Sequence, residues 1–218
     1  MLPDQGFAIV PGPFEGTSLD EATQSYDRAV AAARPHDMAT GSTSIRVSGL
    51  LDRAPGLAAI FTHPPLLHAA AALIGGPFKL SAFHSRRILP GAKAQTLHQD
   101  VAPDCDGWPL LGFIFMVDAF HIGNGATRFL PASADLPELP PTLSSTDLAH
   151  ACGPAGALLL FDGSLWHGHG ANMTSGWRRS VQSALIPKAA KAAIDHKQSL
   201  PPDQWDALPR QARQLMEC

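Results

Sequence analysis

From Phe78 to Pro187 the chain is cut into strand-length pieces by Gly, Pro and Asn: FKLSAFHSRRIL, AQTLHQD, LLGFIFMVDAF, ATRFLP, GALLLF, SLWHGH and RRSVQSALIP. A succession of short apolar and aromatic runs, with no long helical pattern between them, argues against a doubly wound α/β sheet. The Gly123-Asn124-Gly125 stretch reads as a hairpin turn, so the expectation is an antiparallel sandwich or jelly roll.

The flanks read differently. GFAIVPG (Gly6 to Gly12) predicts a short first strand. Ser18-Leu19-Asp20-Glu21 has the form of a capping box, in which a hydroxyl and a carboxylate satisfy free N–H groups, and it predicts a helix running to Arg34-Pro35. Two shorter helices are expected at Leu51 to Phe61 and Pro65 to Leu73, ending at Gly75-Gly76-Pro77. From Lys188 the Ala- and Gln-rich sequence predicts a helical tail. A chain of 218 residues suffices for one core. The expected organisation is therefore a single domain over residues 1–218, with a strand plus helical layer at 1–77, a β core at 78–187 and the tail at 188–218.

Charge excludes several function classes. With 16 basic against 19 acidic residues, and no basic block, the chain is a poor match for nucleic acid. Its start lacks a charged n-region, and no apolar run reaches the roughly 18 residues that span a bilayer, so a cytoplasmic protein without a membrane partner is expected. Cys105, Cys152 and Cys218 are odd in number and form no C-x-x-C, and they read as plain small apolar residues. The 10 histidines point toward metal or acid–base chemistry.

On a strand, residues two apart share a face, so His98 and Asp100 would present a nitrogen and a carboxylate oxygen to one point. A third donor from a facing strand, His167 or His169, would complete the two-His, one-carboxylate set of non-haem iron(II) oxygenases. His-x-Asp alone recurs by chance. An arginine on the following strand would add a bidentate partner for a free carboxylate. Arg178 and Arg179 are the candidates, and Arg178 shares its expected face with Ser180 and Gln182, opposite Val181 and Leu185.

These segments, with Asn124-Gly125-Ala126-Thr127-Arg128-Phe129-Leu130-Pro131, Phe161-Asp162-Gly163-Ser164-Leu165-Trp166-His167, Gly170-Ala171-Asn172 and Arg178, resemble the phytanoyl-CoA dioxygenase family. The likeness runs from about Gly6 to Pro187. It implies a mainly β fold with flanking helices around a double-stranded β-helix (jelly-roll, cupin-like) core. It also implies an oxidoreductase that uses Fe(II), 2-oxoglutarate and O2 to hydroxylate a small or medium organic substrate, releasing succinate and CO2. The family's spacing selects His167 as the third metal ligand beside His98 and Asp100, and Arg178 as the clamp on the distal carboxylate of 2-oxoglutarate. An intact Asp100 implies hydroxylation rather than halogenation, in which that carboxylate is replaced.

The resemblance further implies co-substrate contacts from Gln99, Thr127, His169 and Arg87, with Arg87 preferred over Arg86 for pointing inward. Trp108, Gln95 and Arg86 are substrate-binding candidates. His63, His68, His84, His121 and His150 read as polar residues without a spaced partner, and His36 and His196 as surface residues. Two departures stand out: His169 replaces a small hydroxyl residue, and Pro131-Ala132-Ser133-Ala134 stands where the family has Pro-Gly-Ser-His. The substrate, the oligomeric state, and the choice among hydroxylation, desaturation, epimerisation, cyclisation and simple binding stay open at this level.

Overall fold

The structure, a computed structural model, describes residues 2–102 and 105–217. Strands β1 (Phe7–Pro11), β2 (Met38–Thr40), β3 (Ser44–Val47), β4 (Phe78–Ile88) and β5 (Leu111–Met116) are followed by β6 (Thr127–Phe129) and β7 (Ala149–Ala151). The last three strands are β8 (Ala157–Asp162), β9 (His167–His169) and β10 (Arg178–Pro187). Seven of them form one antiparallel sheet in the order β1-β8-β5-β10-β4-β3-β2, and β7-β6-β9 form a second. The sheets face each other as a jelly roll.

Helices α1 (Thr17–Ala31), α2 (Leu50–Arg53) and α3 (Pro64–Ile74) cover the outer face of the large sheet together with α4 (His196–Ser199), α5 (Pro202–Ala207) and α6 (Arg210–Met216). This layering explains why β5 and β8 read as continuous apolar runs. Phe113, Phe115, Leu158 and Leu160 enter the core beneath the helices, while Ile114, Met116, Leu159 and Phe161 enter the core between the sheets with Phe7 and Phe129. A strand covered on both faces has no solvent side to mark with polar residues. Fully burying one such side chain contributes about 1.5–3 kcal/mol.

β4 and β10 are different. Val181 and Leu185 pack beneath the helices with Leu80 and Phe83, whereas Arg178 and Gln182 face the gap between the sheets with His84 and Arg86. The register shifts between Ala184 and Leu185, where Ser81 has no opposite residue. This bulge turns Leu80 toward the helices although it has the same parity as the gap-facing Ala82 and His84. Ser81 spends its free groups on the C-terminal segment: its carbonyl accepts from Ile194 N at 3.0 Å and its hydroxyl from Ala193 N at 3.3 Å.

Several local expectations need correction. α1 has no capping box: it starts at Thr17 after Gly16, and the Ser18 hydroxyl bonds to the backbone of Glu15 (2.8 and 2.9 Å) from inside the first turn. The segment expected as one helix from Leu51 breaks into α2 and a 3-10 turn at Pro55–Ala59, because Pro55 lacks an N–H and disfavours helical geometry at Ala54. α3 follows its signals, with Pro64 at its start and Gly75 at φ 70° closing it.

AQTLHQD is an extended connection rather than a strand, bridged only at His98, whose N–H and C=O pair with those of His167 at 2.9 Å each way. Asp100 N turns instead to Gly163 O at 2.8 Å. Gly123-Asn124-Gly125 does not join hairpin partners: β5 and β6 belong to different sheets, and the turn carries the chain across the gap. The tail is three short helices separated by Leu200-Pro201 and Leu208-Pro209. β2, β3 and β7 are too short to leave a sequence pattern. His196 is buried rather than on the surface, and Cys105 and Cys152 are exposed, while Cys218 lies outside the described residues. No described helix is long and apolar enough to cross a membrane.

Candidate metal centre and its cavity

β9 and the extended connection before β5 run antiparallel through the His98–His167 bridge, which sets two imidazoles side by side with ring centroids 4.6 Å apart. Asp100 reaches both: Oδ1 lies 3.7 Å from His98 Nε2 and Oδ2 lies 3.7 Å from His167 Nε2. One donor atom from each of the three falls within 4.8 Å of the others. His169, the other candidate donor, is not part of this group.

The tautomers follow from the partners. His167 Nδ1 meets Leu165 O at 2.8 Å and His98 Nδ1 meets Thr96 O at 3.3 Å. A carbonyl can only accept, so each Nδ1 carries the proton and each Nε2 lone pair faces Asp100, the arrangement that orients metal-ligating histidines. The His167 ring is fixed by Phe161 (centroids 4.8 Å) and by stacked Phe129 (5.6 Å). Burial, opposed by Asp100, lowers its pKa and favours the neutral, ligating form.

The three donors open on a cavity of about 440 Å3 between the sheets, lined on its other walls by Arg178, Arg86, Arg46, His84, Gln182, Gln95 and Thr127. Arg178 is 0% exposed, and none of its guanidinium nitrogens has a hydrogen-bond partner. Its guanidinium carbon sits 4.0 Å from the Phe120 ring centroid. Burial, reinforced by the neighbouring Arg86, pushes its pKa down to about 9, so it remains a cation at neutral pH. An unpaired buried charge costs several kcal/mol, and an anion placed against it recovers that cost. The donor set and this orphaned cation together fit a divalent metal plus an organic anion.

His169 is buried and lines the cavity, but both ring nitrogens are engaged. Nδ1 donates to Gly170 O at 2.7 Å, and Nε2 accepts from the Thr43 hydroxyl at 2.9 Å. Burial pushes its pKa down to about 4, with Arg178 and Arg86 adding to the effect. Thr127 lies opposite it in the β6–β9 register, and Gln95 accepts from His169 N at 3.4 Å.

Three expected contacts fail. Gln99 does not line the cavity: its amide donates to Ser164 O at 2.5 Å and Leu136 O at 3.3 Å, as strand-like alternation away from His98 and Asp100 dictates. Arg87 points out of the cavity and stacks on Trp177 at 4.1 Å, and Arg86 is the inward residue because it lies opposite Ser180, two residues from Arg178. Trp108 is 40% exposed and is not among the residues lining the cavity, and Pro103 and Asp104, earlier in the same connection, lie outside the described residues.

Arg46, Thr43 and His84 escaped the sequence reading. Counting back by two from Arg86 would have found His84, which burial pushes down to about pKa 3 with help from Arg46 and Arg86. β3, which carries Arg46, offered no comparable signal.

Residues 2–180 match the phytanoyl-CoA dioxygenase (PhyH) family. Dioxygenase trt7 of Aspergillus terreus is 34% identical over 140 residues, covering 59% of this chain and 49% of its own length. The chain thus spans about half the length of that relative. The fold is shared with HygX from Streptomyces hygroscopicus, crystallised with nickel and 2-oxoglutarate (TM-score 0.69, 15% identity, 87% of this chain and 85% of that one). It is shared also with SnoN, a non-haem α-ketoglutarate-dependent epimerase from nogalamycin biosynthesis (TM-score 0.71, 18% identity, 95% and 86%).

Proposed function

The chain belongs to the phytanoyl-CoA dioxygenase family, and from that premise we propose that it is an iron(II)- and 2-oxoglutarate-dependent oxygenase that hydroxylates a C–H bond of a small or medium organic molecule. The observation that carries this reading is Arg178, a fully buried guanidinium without a partner in the same cavity as the His98, Asp100 and His167 donors.

In this reading His98, Asp100 and His167 would hold iron(II), and the unpartnered guanidinium of Arg178 would hold the distal carboxylate of 2-oxoglutarate. When bound, the metal supplies O2 activation coupled to decarboxylation of 2-oxoglutarate to succinate and CO2. The chain contributes position and environment. Leu165 and Thr96 carbonyls keep both imidazoles in the ligating tautomer, and Phe129 and Phe161 hold the His167 ring and keep water from its rear. Thr43 and Gly170 hold His169 as a neutral wall residue beside the co-substrate, where a charged imidazole would oppose Arg178. Gln95 and Thr127 offer further hydrogen bonds from neighbouring walls.

The test is calorimetric titration of 2-oxoglutarate into nickel-loaded protein, followed by aerobic turnover with iron(II) and measurement of succinate across a compound panel. Binding that needs both metal and Arg178, with succinate formed, supports the reading. Co-substrate that binds equally well without metal, or no succinate with any compound, overturns it. The fold shared with the epimerase SnoN favours examining a second outcome on the same scaffold. Product formed under 18O2 without label in it, while succinate accumulates, would assign epimerisation, desaturation or cyclisation in place of hydroxylation.

A further inference from the structure

We propose that Arg46 and Arg86 form a second anion-binding subsite in the cavity, and that the primary substrate presents an anionic group, carboxylate or phosphate, to it. The inference rests on the metal and co-substrate assignment above. Arg46 on β3 and Arg86 on β4 are directly opposite in register, and both line the cavity. Like charges opposite each other on a sheet repel. Arg46 is exposed at the cavity rim and Arg86 is half-buried beside it, so the pair forms a positive rim that favours an incoming anion.

Asp100 attracts Arg86 across the cavity but makes no ion pair with it, and in the loaded site that carboxylate is taken by the metal. Arg86 donates to the Ser44 hydroxyl at 3.2 Å and to Gln182 Oε1 at 3.3 Å, neutral partners that aim the guanidinium without cancelling its charge. Neither arginine is in an ion pair among the described residues, and Asp100 is the sole described acid in the cavity lining. Once the site is loaded, the remaining charges cancel without this pair. A divalent metal and Arg178 carry three positive charges, which Asp100 and the two carboxylates of 2-oxoglutarate match. Arg46 and Arg86 are left over, one strand row from Arg178, since Arg86 lies opposite Ser180 rather than opposite Arg178. His84, next along the same face of β4, stays neutral beside them and adds no competing charge.

The experiment uses protein saturated with nickel and 2-oxoglutarate and titrates three probes calorimetrically: 3-phenylpropanoate, its uncharged amide, and phenyl phosphate. Hydrogen bonds to a charged partner predict that at least one anion binds about tenfold or more tighter than the amide. The tighter anion distinguishes a carboxylic acid from a phosphate-bearing substrate. Arg46→Gln with Arg86→Gln should erase the preference while leaving 2-oxoglutarate affinity nearly unchanged, and Arg86→Lys, which keeps the charge, should retain part of it. An amide that binds as well as both anions, or variants that weaken 2-oxoglutarate as much as the probes, overturns the proposal. Failure of nickel and 2-oxoglutarate to bind at all counts against the oxygenase reading instead. The subsite is then decided in metal-free Arg178→Gln protein, where loss of phenyl phosphate affinity on adding the two Gln substitutions supports it and an unchanged affinity refutes it.

Discussion

The two faces of β4 and β10 are made by the same residues in alternation, yet they do opposite work. Toward the helices, Leu80, Phe83, Val181 and Leu185 join a closed apolar core. Toward the gap, His84, Arg86, Arg178 and Gln182 line a cavity whose polar groups are incompletely paired. Stability is concentrated on one side of a single pleated layer and binding chemistry on the other. Substitutions a residue apart in sequence should therefore separate the two.

The largest effect is expected in the cavity, where His167→Ala should abolish nickel or iron binding while His169→Ala leaves it measurable. Metal titration of both variants decides this, and the reverse result would move the third ligand to His169. On the helix side, Leu185→Ala should cost about 2–5 kcal/mol of stability by leaving a void, with metal affinity of the folded protein unchanged. Its counterpart, Arg178→Leu, should weaken 2-oxoglutarate by roughly a hundredfold and leave the melting temperature equal or higher, because it removes an unpaired buried cation. If Arg178→Leu unfolds the protein, the division between the faces is wrong.

Acid provides a smaller test. Burial pushes His84 and His196 down to about pKa 3 and 4, from an ordinary value of 6.5. Both are neutral in the fold, so the unfolded chain takes up their protons first. Their contribution is complete above about pH 6.5 and is lost as pH falls from there toward 4. Thermal melts should show the midpoint dropping over that window, and His196→Asn should flatten the drop. The smallest effect concerns the turn after β6, where Ala132 sits at φ 52°. A left-handed residue with a Cβ costs about 1–2 kcal/mol, offset in part by the chain entropy of glycine. Ala132→Gly should therefore stabilise by about 1 kcal/mol or less in a denaturant titration, and a loss would mean the turn carries no strain.

Much of this was legible from residues alone. RRSVQSALIP gave β10 its bounds and the inward direction of Arg178, because period-two alternation is strong where one face meets a core and the other a polar cavity. His98 and Asp100 were legible from their spacing, whereas the choice of His167 over His169 came from the family resemblance, because the two stand two residues apart on β9. The strand assigned to AQTLHQD failed, since His98 is held by one isolated two-bond bridge to His167 and Asp100 by a bond to Gly163 rather than by a ladder, a distinction side-chain pattern does not carry. The choice between Arg86 and Arg87 depended on cross-strand register, which only pairing with β10 fixes. Arg46 stayed hidden because β3 is four residues long, too short for any periodicity.

The bulge at Ser81 has a consequence beyond turning Leu80 around. By bonding Ala193 and Ile194 it seats Ala193 in the wall of the cavity, although that residue is remote in sequence from every metal donor. The segment after β10, anchored further on by Leu200, Trp205, Leu208 and Met216 in the core beneath the helices, thus closes one wall of the chamber with a residue outside the donor set. A larger side chain at position 193 would therefore narrow the chamber from the side away from the donors, without a change in any of the three ligands.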